Sequence, residues 1–405
     1  MKARACWKLV AMRILLVNDY AEPFGGAERY VSDLRVLLAG RGHQTDLLTG
    51  GSERGSLVTL FSRWLNPWVY RRTRRAIAEF KPDVLHLHGC SRNLSPSPAI
   101  AARRAGVPVV MTVHDAHLVC PKTWMIYSDG EPCRLGFGWK CLTSNCVTWR
   151  RGYGNVPYHA VKWLKVGLHR RILKRNVARF LSPSEWLARW LVKSLGTDQV
   201  VHVPLFAPSQ SSSVRQEPEH GLRLLYVGRL SPEKGVDTLL RALPPVLESV
   251  SGASLDVVGG GSDERALRAL SADLGLAEHV RFIGAVAPAE LEDYYRTASA
   301  VVMPSRWMEN APLVAYEAMS YGVPVIASAR GGLPELVESG RNGLLFLPDD
   351  HVDLAKTIMR LSGDADLRRQ LGSGARQLAE ERYSARVHME RLEETYSAVM
   401  ATGTG

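Results

Sequence analysis

The sequence predicts an α/β protein made of two doubly wound domains. Short apolar runs alternate with helix-length patterns along most of the 405 residues. The runs are uniformly apolar rather than alternating, which is typical of parallel strands covered by helices on both faces. A polar stretch rich in Ser and Pro, PSQSSSVRQEPEHG, occupies residues 208–221 and indicates a linker between two domains, 1–207 and 222–383.

The first domain is predicted to contain four strands and an early helix. The strands are Met12–Val17, Thr45–Thr49, Val84–His88 and Val107–Val113, and the helix runs from Ala27 to Gly40. Ligands of doubly wound sheets bind beyond the carboxyl ends of the strands. Residues that follow strands are therefore the first candidates for a site.

The second domain repeats this scheme with five predicted strands. They are Leu222–Val227, Leu255–Val258, Val280–Ile283, Ala300–Met303 and Val323–Ala327. Residues 384–405 are predicted to form a C-terminal helix that packs back on the first domain.

The region from about 120 to 180 breaks this rhythm and is predicted to be an insert in the first domain. Residues 132–184 contain no Asp or Glu, whereas they contain eleven Lys or Arg. Aromatic residues are interleaved with these charges: Trp139, Trp149, Tyr153, Tyr158 and Trp163. A basic helix is predicted over Tyr158–Arg175, and the apolar residues expected to share one of its faces are Val161, Leu164, Leu168 and Leu173.

The charge of the chain, +11 overall, is unevenly distributed. Residues 1–205 hold 31 Lys and Arg against 13 Asp and Glu, whereas the remainder holds 20 against 27. A basic half is expected to face an anionic partner. Nucleic acid is discounted because no recognisable binding module occurs. The acid-free, aromatic insert favours an anionic membrane surface, and the alternative is a solvated basic face.

The protein is expected to be cytoplasmic and peripheral at the inner face of the membrane. The sequence contains no run of about 20 apolar residues, so no transmembrane helix is predicted. Near the start, Arg13 splits the apolar stretch that would form a signal peptide, and no small-residue cleavage site follows.

Two acidic residues, Glu309 and Glu317, stand eight apart in WMENAPLVAYEAMSYGVPVIA, just beyond the predicted strand that ends at Met303. Pro312 suits the start of a helix. Glu309 is therefore expected in the loop before the helix and Glu317 inside it. Two such carboxylates could hold two hydroxyl-rich parts of one ligand, and the alternative is an ordinary solvated pair.

The segment VGRLSPEKG, residues 227–235, follows the first predicted strand of the second domain. Gly228 permits a sharp turn, and Arg229 and Lys234 are expected to project towards the crevice near a helix N-terminus. This combination suits a diphosphate. It is not a Walker loop, because no G-x-x-x-x-G-K-[ST] occurs. The alternative is a pair of surface cations on a turn.

Together and in this order, these features resemble the retaining glycosyltransferases of the GT-B fold, specifically glycosyltransferase family 4. Four further motifs extend the resemblance over nearly the whole chain: FGGAE at 24–28, TVHD at 112–115, VVGGG at 257–261 and VPVIASARGGLPELV at 323–337. The resemblance implies two Rossmann-like domains that face a central cleft. The first would bind the acceptor and the second the nucleotide-sugar.

The resemblance also implies roles for single residues. Arg229 and Lys234 would neutralise the donor diphosphate without a metal ion. Glu317 would accept hydrogen bonds from the ribose, Glu309 would hold hydroxyls of the donor sugar, and His114 would contact that sugar near the reacting carbon. The four catalytic candidates are His114, Glu309, Arg229 and Lys234. The donor-binding candidates are Gly25, Gly26, Arg229, Lys234, Gly260, Glu309, Asn310, Ala311, Leu313 and Glu317.

One residue departs from the family pattern. Many relatives have glycine three residues after the first Glu, whereas this chain has Pro312. Proline lacks an amide hydrogen, so no backbone N–H can contact a donor there.

The implied function is transfer of a hexosyl unit, with retention, from a UDP- or GDP-sugar to an acceptor hydroxyl. The expected acceptor is a lipid-linked saccharide in cell-surface polysaccharide or glycolipid synthesis, and a soluble acceptor is the alternative. Two other classes stay open, a sugar-nucleotide 2-epimerase of the same architecture and a non-catalytic nucleotide-sugar-binding subunit. No cofactor is expected to be needed for catalysis.

Four of the six cysteines fall in the insert, with the spacing C-x12-C-x7-C-x4-C. A reducing cytoplasm disfavours disulfides. The cysteines are therefore candidates for a structural zinc site, and the alternative is unligated thiols. The candidate ligands are Cys120, Cys133, Cys141 and Cys146.

Overall fold

The computed structural model describes residues 11–20, 25–50, 64–90, 94–127, 130–143, 156–208 and 221–402, without the side chains of 156–159. In this part of the chain two six-stranded parallel sheets are each flanked by helices. The predicted fold class, two doubly wound α/β domains, is confirmed.

The first sheet has the strand order β2-β1-β3-β4-β5-β6. Its strands are β1 (Arg13–Asn18), β2 (Gln44–Thr49), β3 (Val84–Leu87), β4 (Val109–Thr112), β5 (Arg179–Ser182) and β6 (Val200–His202). The order reverses between β1 and β3, which are hydrogen-bonded neighbours. This reversal is the point at which doubly wound sheets bind ligands.

Five helices are described in the first domain. They are α1 (Gly26–Gly40), α2 (Pro67–Phe80), α3 (Ser97–Arg104), α4 (Val156–Asn176) and α5 (Glu185–Leu195). Two short 3-10 turns, Ala116–Leu118 and Trp139–Leu142, lie in or beside the insert.

The second sheet has the strand order β12-β11-β10-β7-β8-β9. Its strands are β7 (Leu222–Val227), β8 (Ala253–Val258), β9 (Val280–Gly284), β10 (Ala300–Met303), β11 (Val325–Ser328) and β12 (Gly343–Phe346). Here the order reverses between β7 and β10. The two strongest motifs of the sequence follow these two strands.

Seven helices surround this sheet, and an eighth follows them. They are α6 (Val236–Ser249), α7 (Glu264–Asp273), α8 (Pro288–Thr297), α9 (Leu313–Ser320), α10 (Leu333–Leu336), α11 (His351–Ser362), α12 (Ala365–Glu381) and α13 (Ala385–Thr402). A 3-10 turn, Pro232–Lys234, precedes α6.

All nine strands read from the sequence are present, with ends that shift by at most two residues. Runs of four buried residues form β3, β4, β10 and β11, as expected for strands covered on both faces. The strands not predicted are β5, β6 and β12. The first two are short, and β6 is only partly buried, so its apolar signal is weak.

The basic helix of the insert is present as α4, but its predicted apolar face is wrong. Leu173 is fully buried, whereas Val161 and Leu164 are about half exposed, at 48% and 52%. Leu173 is twelve residues beyond Val161, which turns its side chain by about 120° around a helix of 3.6 residues per turn. Leu173 therefore packs inward while Val161 and Leu164 face solvent.

The C-terminal helix α13 contacts the first domain through buried polar side chains. The hydroxyl of Tyr396 lies 2.6 Å from Nδ1 of His86 on β3. Arg41, at the end of α1, donates to both carboxylate oxygens of Glu393, at 3.0 and 2.8 Å. These contacts hold α13 against the first domain.

Candidate active site

The site lies where the strand order of the second sheet reverses. The loop 228–235 follows β7 and the loop 304–312 follows β10, and the two are in close contact. The amide of Arg306 donates to the carbonyl of Glu233 at 2.9 Å. Gly235 has a φ of +67°, and a Cβ there would lie 2.1 Å from the carbonyl oxygen of Pro304. Only glycine allows this approach.

Lys234 and Glu309, predicted separately, meet directly. Nζ of Lys234 donates to Oε1 of Glu309 at 2.7 Å, and the hydroxyl of Ser305 donates to the same oxygen at 2.7 Å. Both charged side chains are largely buried, with 19% and 5% of their surface exposed. Burial raises the pKa of Glu309, but the ammonium of Lys234 and the hydrogen bonds outweigh it, so the pKa falls below its ordinary value. Glu309 is therefore a carboxylate at neutral pH.

Arg229 extends from the same loop but is much more exposed. Its side chain is 63% exposed, and Nη2 lies 3.2 Å from Oε1 of the buried Glu233. The cation is thus held loosely at the mouth of the loop, where it is free to turn towards a ligand.

The glycine run 259–261 brings the end of β8 against the first loop. A Cβ on Gly259 would lie 1.9 Å from the carbonyl oxygen of Gly228, and one on Gly261 would lie 2.1 Å from that of Leu230. The carbonyl of Gly260 accepts a hydrogen bond from the amide of Leu230 at 3.0 Å. These contacts give the run a packing role, and donor contact by Gly260 stays a prediction.

Glu317 lies in α9, and both of its carboxylate oxygens are engaged. The hydroxyl of Tyr295 on α8 donates to Oε2 at 2.5 Å. Arg29 of α1 lies with Nη1 2.7 Å from Oε1. Since Arg29 belongs to the first domain, this ion pair crosses the cleft.

Gly25 and Gly26 lie at the N-terminus of α1, where backbone amides point out of the helix. A Cβ on Gly26 would lie 3.6 Å from Cδ1 of Leu313, the first residue of α9. Two of the predicted donor-binding residues, one from each domain, therefore face each other. Phe24 of the predicted motif lies outside the described residues.

His114 follows β4 and is linked to the second domain through its backbone. Nδ2 of Asn310 donates to the carbonyl of His114 at 3.0 Å, and the hydroxyl of Ser184 donates to Oδ1 of Asn310 at 2.5 Å. Burial lowers the pKa of His114 to about 4, although the nearby Asp115 raises it. His114 is thus a neutral imidazole at pH 7, and Asn310 holds the loop of Glu309 against it.

Several residues of the site were not found from the sequence, among them Arg29, Ser184, Tyr295 and Trp307. The ring of Trp307 lies 4.9 Å from Nζ of Lys234 and contacts Trp124 of the first domain edge-on, with centroids 5.8 Å apart. Arg29, Ser184 and Trp307 act through contacts across more than 70 residues of chain, and Tyr295 through one across 22 residues. No local spacing signals such contacts.

The candidate zinc ligands are not brought together as a site in the described part of the insert. Cys120, Cys133 and Cys141 are free, and no group of three or more His, Cys, Asp or Glu there could hold a metal ion. Burial raises the pKa of Cys120 and of Cys141, which disfavours thiolate ligands. Cys146 lies outside the described residues, so the zinc site stays a prediction.

Both halves of the chain match known protein families. Residues 25–205 match the family model described as glycosyl transferase 4-like domain, and residues 210–378 match that of glycosyl transferases group 1. A D-inositol 3-phosphate glycosyltransferase of Acidothermus cellulolyticus is 38% identical in an alignment of 383 positions, which covers 87% of this chain and 81% of that protein. The chain belongs to glycosyltransferase family 4. It is a glycosyltransferase with the GT-B fold.

Other similar proteins cover nearly the full length. A phosphatidyl-myo-inositol mannosyltransferase of Mycobacterium leprae is 28% identical in an alignment of 417 positions, which covers 97% of this chain and 98% of that protein. The sucrose-phosphate synthase of Thermosynechococcus elongatus superposes with a TM-score of 0.73 at 20% identity, over 96% and 100% of the two chains. Anabaena HepE, solved with UDP and glucose, gives 0.68 at 20% identity over the same shares. These two structures show the fold that this glycosyltransferase shares.

Proposed function

We propose that this glycosyltransferase moves a hexosyl unit from a UDP- or GDP-sugar, with retention, to a hydroxyl of a lipid-linked acceptor. The observation that carries the proposal is the contact between Lys234 and Glu309 at the reversal point of the second sheet. It puts a cation suited to a diphosphate beside a carboxylate suited to sugar hydroxyls. The two groups are adjacent, as are the diphosphate and the sugar of a nucleotide-sugar.

The reaction needs charge stabilisation where the nucleoside diphosphate departs. Arg229 and Lys234 supply two positive charges, and a metal ion is not required for that role. The oxygen of the acceptor hydroxyl bonds to the anomeric carbon on the face from which the diphosphate leaves. As the bond from that carbon to the phosphate oxygen breaks, the hydroxyl proton passes to the departing oxygen. Attack on the same face retains the anomeric configuration.

The nucleotide is held at the other end of the E-x7-E motif. Glu317 is buried near the middle of α9, and its carboxylate can accept two hydrogen bonds from ribose hydroxyls. HepE was solved with UDP, and two relatives from Mycobacterium tuberculosis are named as GDP-mannose-dependent. Both bases therefore remain candidates for this chain.

A lipid-linked acceptor is supported by a surface that we call the insert patch. It consists of five exposed apolar side chains on the 135–142 segment and on α4: Leu135, Trp139, Leu142, Val161 and Leu164. The two segments are joined because the indole of Trp163 donates to the carbonyl of Gly138 at 2.9 Å. Exposed apolar groups in a segment without acidic residues fit the interface of an anionic membrane.

Some basic residues of the helix do not belong to this surface. Arg170 is half-buried, stacks 4.1 Å from the ring of Phe137 and donates to the carbonyl of Ser194. Lys174 donates to the carbonyl of Gly196 at 2.8 Å. The exposed cations near the patch are Arg134, Lys140 and Arg171. No helix among the described residues has the length and apolar character needed to span a bilayer.

The experiment that tests the donor is a thermal-shift screen with UDP, GDP and their hexosyl derivatives. A ligand at 100 times its Kd stabilises the folded protein by about 2.7 kcal/mol. One base is expected to raise the melting temperature, and its sugar derivatives should be consumed only when an acceptor is added. Turnover of a donor to its 2-epimer without any acceptor would contradict the transferase reaction. Stabilisation by none of the nucleotides would contradict the proposed site.

A further inference from the structure

His88 lies directly behind His114, the residue proposed to contact the donor sugar. It follows β3, His114 follows the neighbouring strand β4, and the two strands are parallel. Nδ1 of His88 lies 3.3 Å from Nε2 of His114, within hydrogen-bond distance, and the rings are stacked with centroids 5.6 Å apart. The two imidazoles therefore form a pair that reaches from the sheet towards the cleft.

The other nitrogen of His88 is unusual. His88 is 3% exposed, and its Nε2 is buried without a hydrogen-bond partner among the described residues. The adjacent His86 offers it none, because Nδ1 of His86 is bonded to Tyr396 at 2.6 Å and Nε2 to Thr112 at 2.8 Å. The only hydrogen bond that His88 makes with its ring in this part of the chain is the one to His114.

Both rings of the pair are neutral. Burial lowers the pKa of His88 well below 6.5 and lowers the pKa of His114 to about 4. A neutral imidazole carries one N–H, so the contact has two possible donors. If His114 donated from Nε2, the proton of His88 would have to sit on its buried, unpartnered Nε2. Buried N–H groups without an acceptor are rarer in proteins than acceptors without a donor.

We infer that His88 is a positioning residue, which donates from Nδ1 to Nε2 of His114 and so fixes the tautomer of His114. His114 then carries its own proton on Nδ1. It offers an N–H to its ligand, and the matching ligand group is an oxygen acceptor such as a sugar hydroxyl. The inference about the ligand rests on the proposed function, whereas the tautomer can be measured in the free protein.

The first test determines which ring nitrogen of His114 carries the proton. Protein labelled with 15N-histidine is observed at pH 7 by two-bond nitrogen–proton correlation, and His114 is assigned through the His114→Gln variant. The spectrum should show a neutral ring protonated on Nδ1. A ring protonated on Nε2 would overturn the inference, and neither result depends on a substrate.

The second test uses amides that imitate one ring nitrogen at a time. In His88→Asn the side-chain NH2 stands near the position of Nδ1, whereas in His88→Gln it stands near that of Nε2. With the donor that the screen identifies, His88→Asn should stay within about threefold of the wild type in kcat/KM. His88→Gln should lose about tenfold, as expected for one lost hydrogen bond.

Two controls separate positioning from folding. The Kd for the nucleoside diphosphate should be unchanged in both variants, because Lys234 and Glu317 belong to the second domain. His43→Asn removes another buried histidine, which lies at the opposite end of the first sheet and bonds to Met12 and Glu393. Its kcat/KM should not change. Equal losses in His88→Asn and His88→Gln would overturn the positioning role.

Discussion

Nη1 of Arg29 lies 2.7 Å from Oε1 of Glu317, and this ion pair joins the first helix of one domain to the site of the other. The second oxygen of Glu317 is taken by Tyr295. Each oxygen of the carboxylate proposed to hold the ribose is therefore already in contact with a protein group. A nucleotide that binds there competes with Arg29 for this carboxylate.

Arg29→Leu is expected to tighten nucleoside diphosphate binding several-fold. The variant removes the competing cation and leaves the 6% exposed carboxylate of Glu317 without a counter-charge. Ribose hydroxyls would then add hydrogen bonds to a buried carboxylate that otherwise has only that of Tyr295. Titration calorimetry with UDP and GDP measures the effect. The control is Arg35→Leu, an exposed cation of the same helix; unchanged or weaker binding in Arg29→Leu alone would contradict this view of Glu317.

Lys234→Ala and Arg229→Ala are each expected to reduce kcat strongly. Each removes a charge that stabilises the departing diphosphate, and loss of one such contact costs on the order of 10²–10³ in rate. Lys234→Ala should also lower the melting temperature, since it leaves Glu309 buried without a counter-charge. Arg229→Ala should lower it less, because it removes the longer contact, 3.2 Å, of an exposed cation to Glu233. Steady-state kinetics and thermal unfolding measure the two effects. Near-normal turnover in either folded variant, relative to the exposed control Arg241→Ala, would move the phosphate site elsewhere.

Stability is expected to fall as the pH drops from about 6.5 to 4. Burial lowers the pKa of His114 and of His388 to about 4, whereas an unfolded histidine titrates near 6.5. The unfolded chain therefore binds more protons in this window, and the stability present above pH 6.5 is lost on acidification. The carboxyl of Asp115, whose pKa is lowered to about 2 despite burial, contributes only below this window.

The melting temperature measured at intervals from pH 7.5 to 4.5 tests this dependence. His388→Gln removes one of the buried titrating groups and should make the curve less steep. A flat curve over this range would show that the buried histidines take up protons in the folded protein at the same pH as in the unfolded chain.

Catalysis is expected to survive removal of metal ions, because Arg229 and Lys234 supply the charge that a metal would supply. Initial rates are measured before and after treatment with EDTA, with the fold followed by circular dichroism. A rapid loss of activity in the intact fold, restored by Mg²⁺ or Mn²⁺, would mean that the two cations do not suffice.

The insert patch is expected to bind vesicles that contain anionic lipid. Each cation near such a surface contributes about 1 kcal/mol, which added salt screens. Replacing Arg134, Lys140 and Arg171 with Gln should weaken co-sedimentation with anionic vesicles, and Trp139→Ala should weaken it further. The matched control replaces three exposed cations of the second domain: Arg241, Arg265 and Arg360. Equal binding to neutral and anionic vesicles, or equal loss in the control, would favour a soluble acceptor.

The sequence was sufficient for nine of the twelve described strands. Mainly apolar runs such as Leu222–Val227 and Ala300–Met303 coincide with strands of the predicted bounds, because burial on both faces leaves a strong local signal. The segments after them supplied Lys234 and Glu309. The contact between these residues was not predictable, since it depends on β7 and β10 being neighbours in the sheet.

Contacts between segments distant in the chain were beyond the sequence for the same reason. Nothing near Arg29 marks it as the partner of Glu317, and nothing near His88 marks it as the partner of His114. The insert shows a different failure. The sequence predicted the helix, but it did not show which side of that helix packs against the rest of the domain. Leu173 was therefore assigned to the wrong side.

The most direct test of the account is the anomeric configuration of the product. The protein is mixed with an α-linked donor, UDP-glucose or GDP-mannose as the nucleotide screen directs, and with vesicles that carry a lipid-linked saccharide. The anomeric signals are followed by NMR. The account predicts release of the nucleoside diphosphate together with an α-linked product. A β-linked product would contradict retention, and a folded, nucleotide-bound protein that never transfers the sugar to this or to any soluble acceptor would contradict the proposed function.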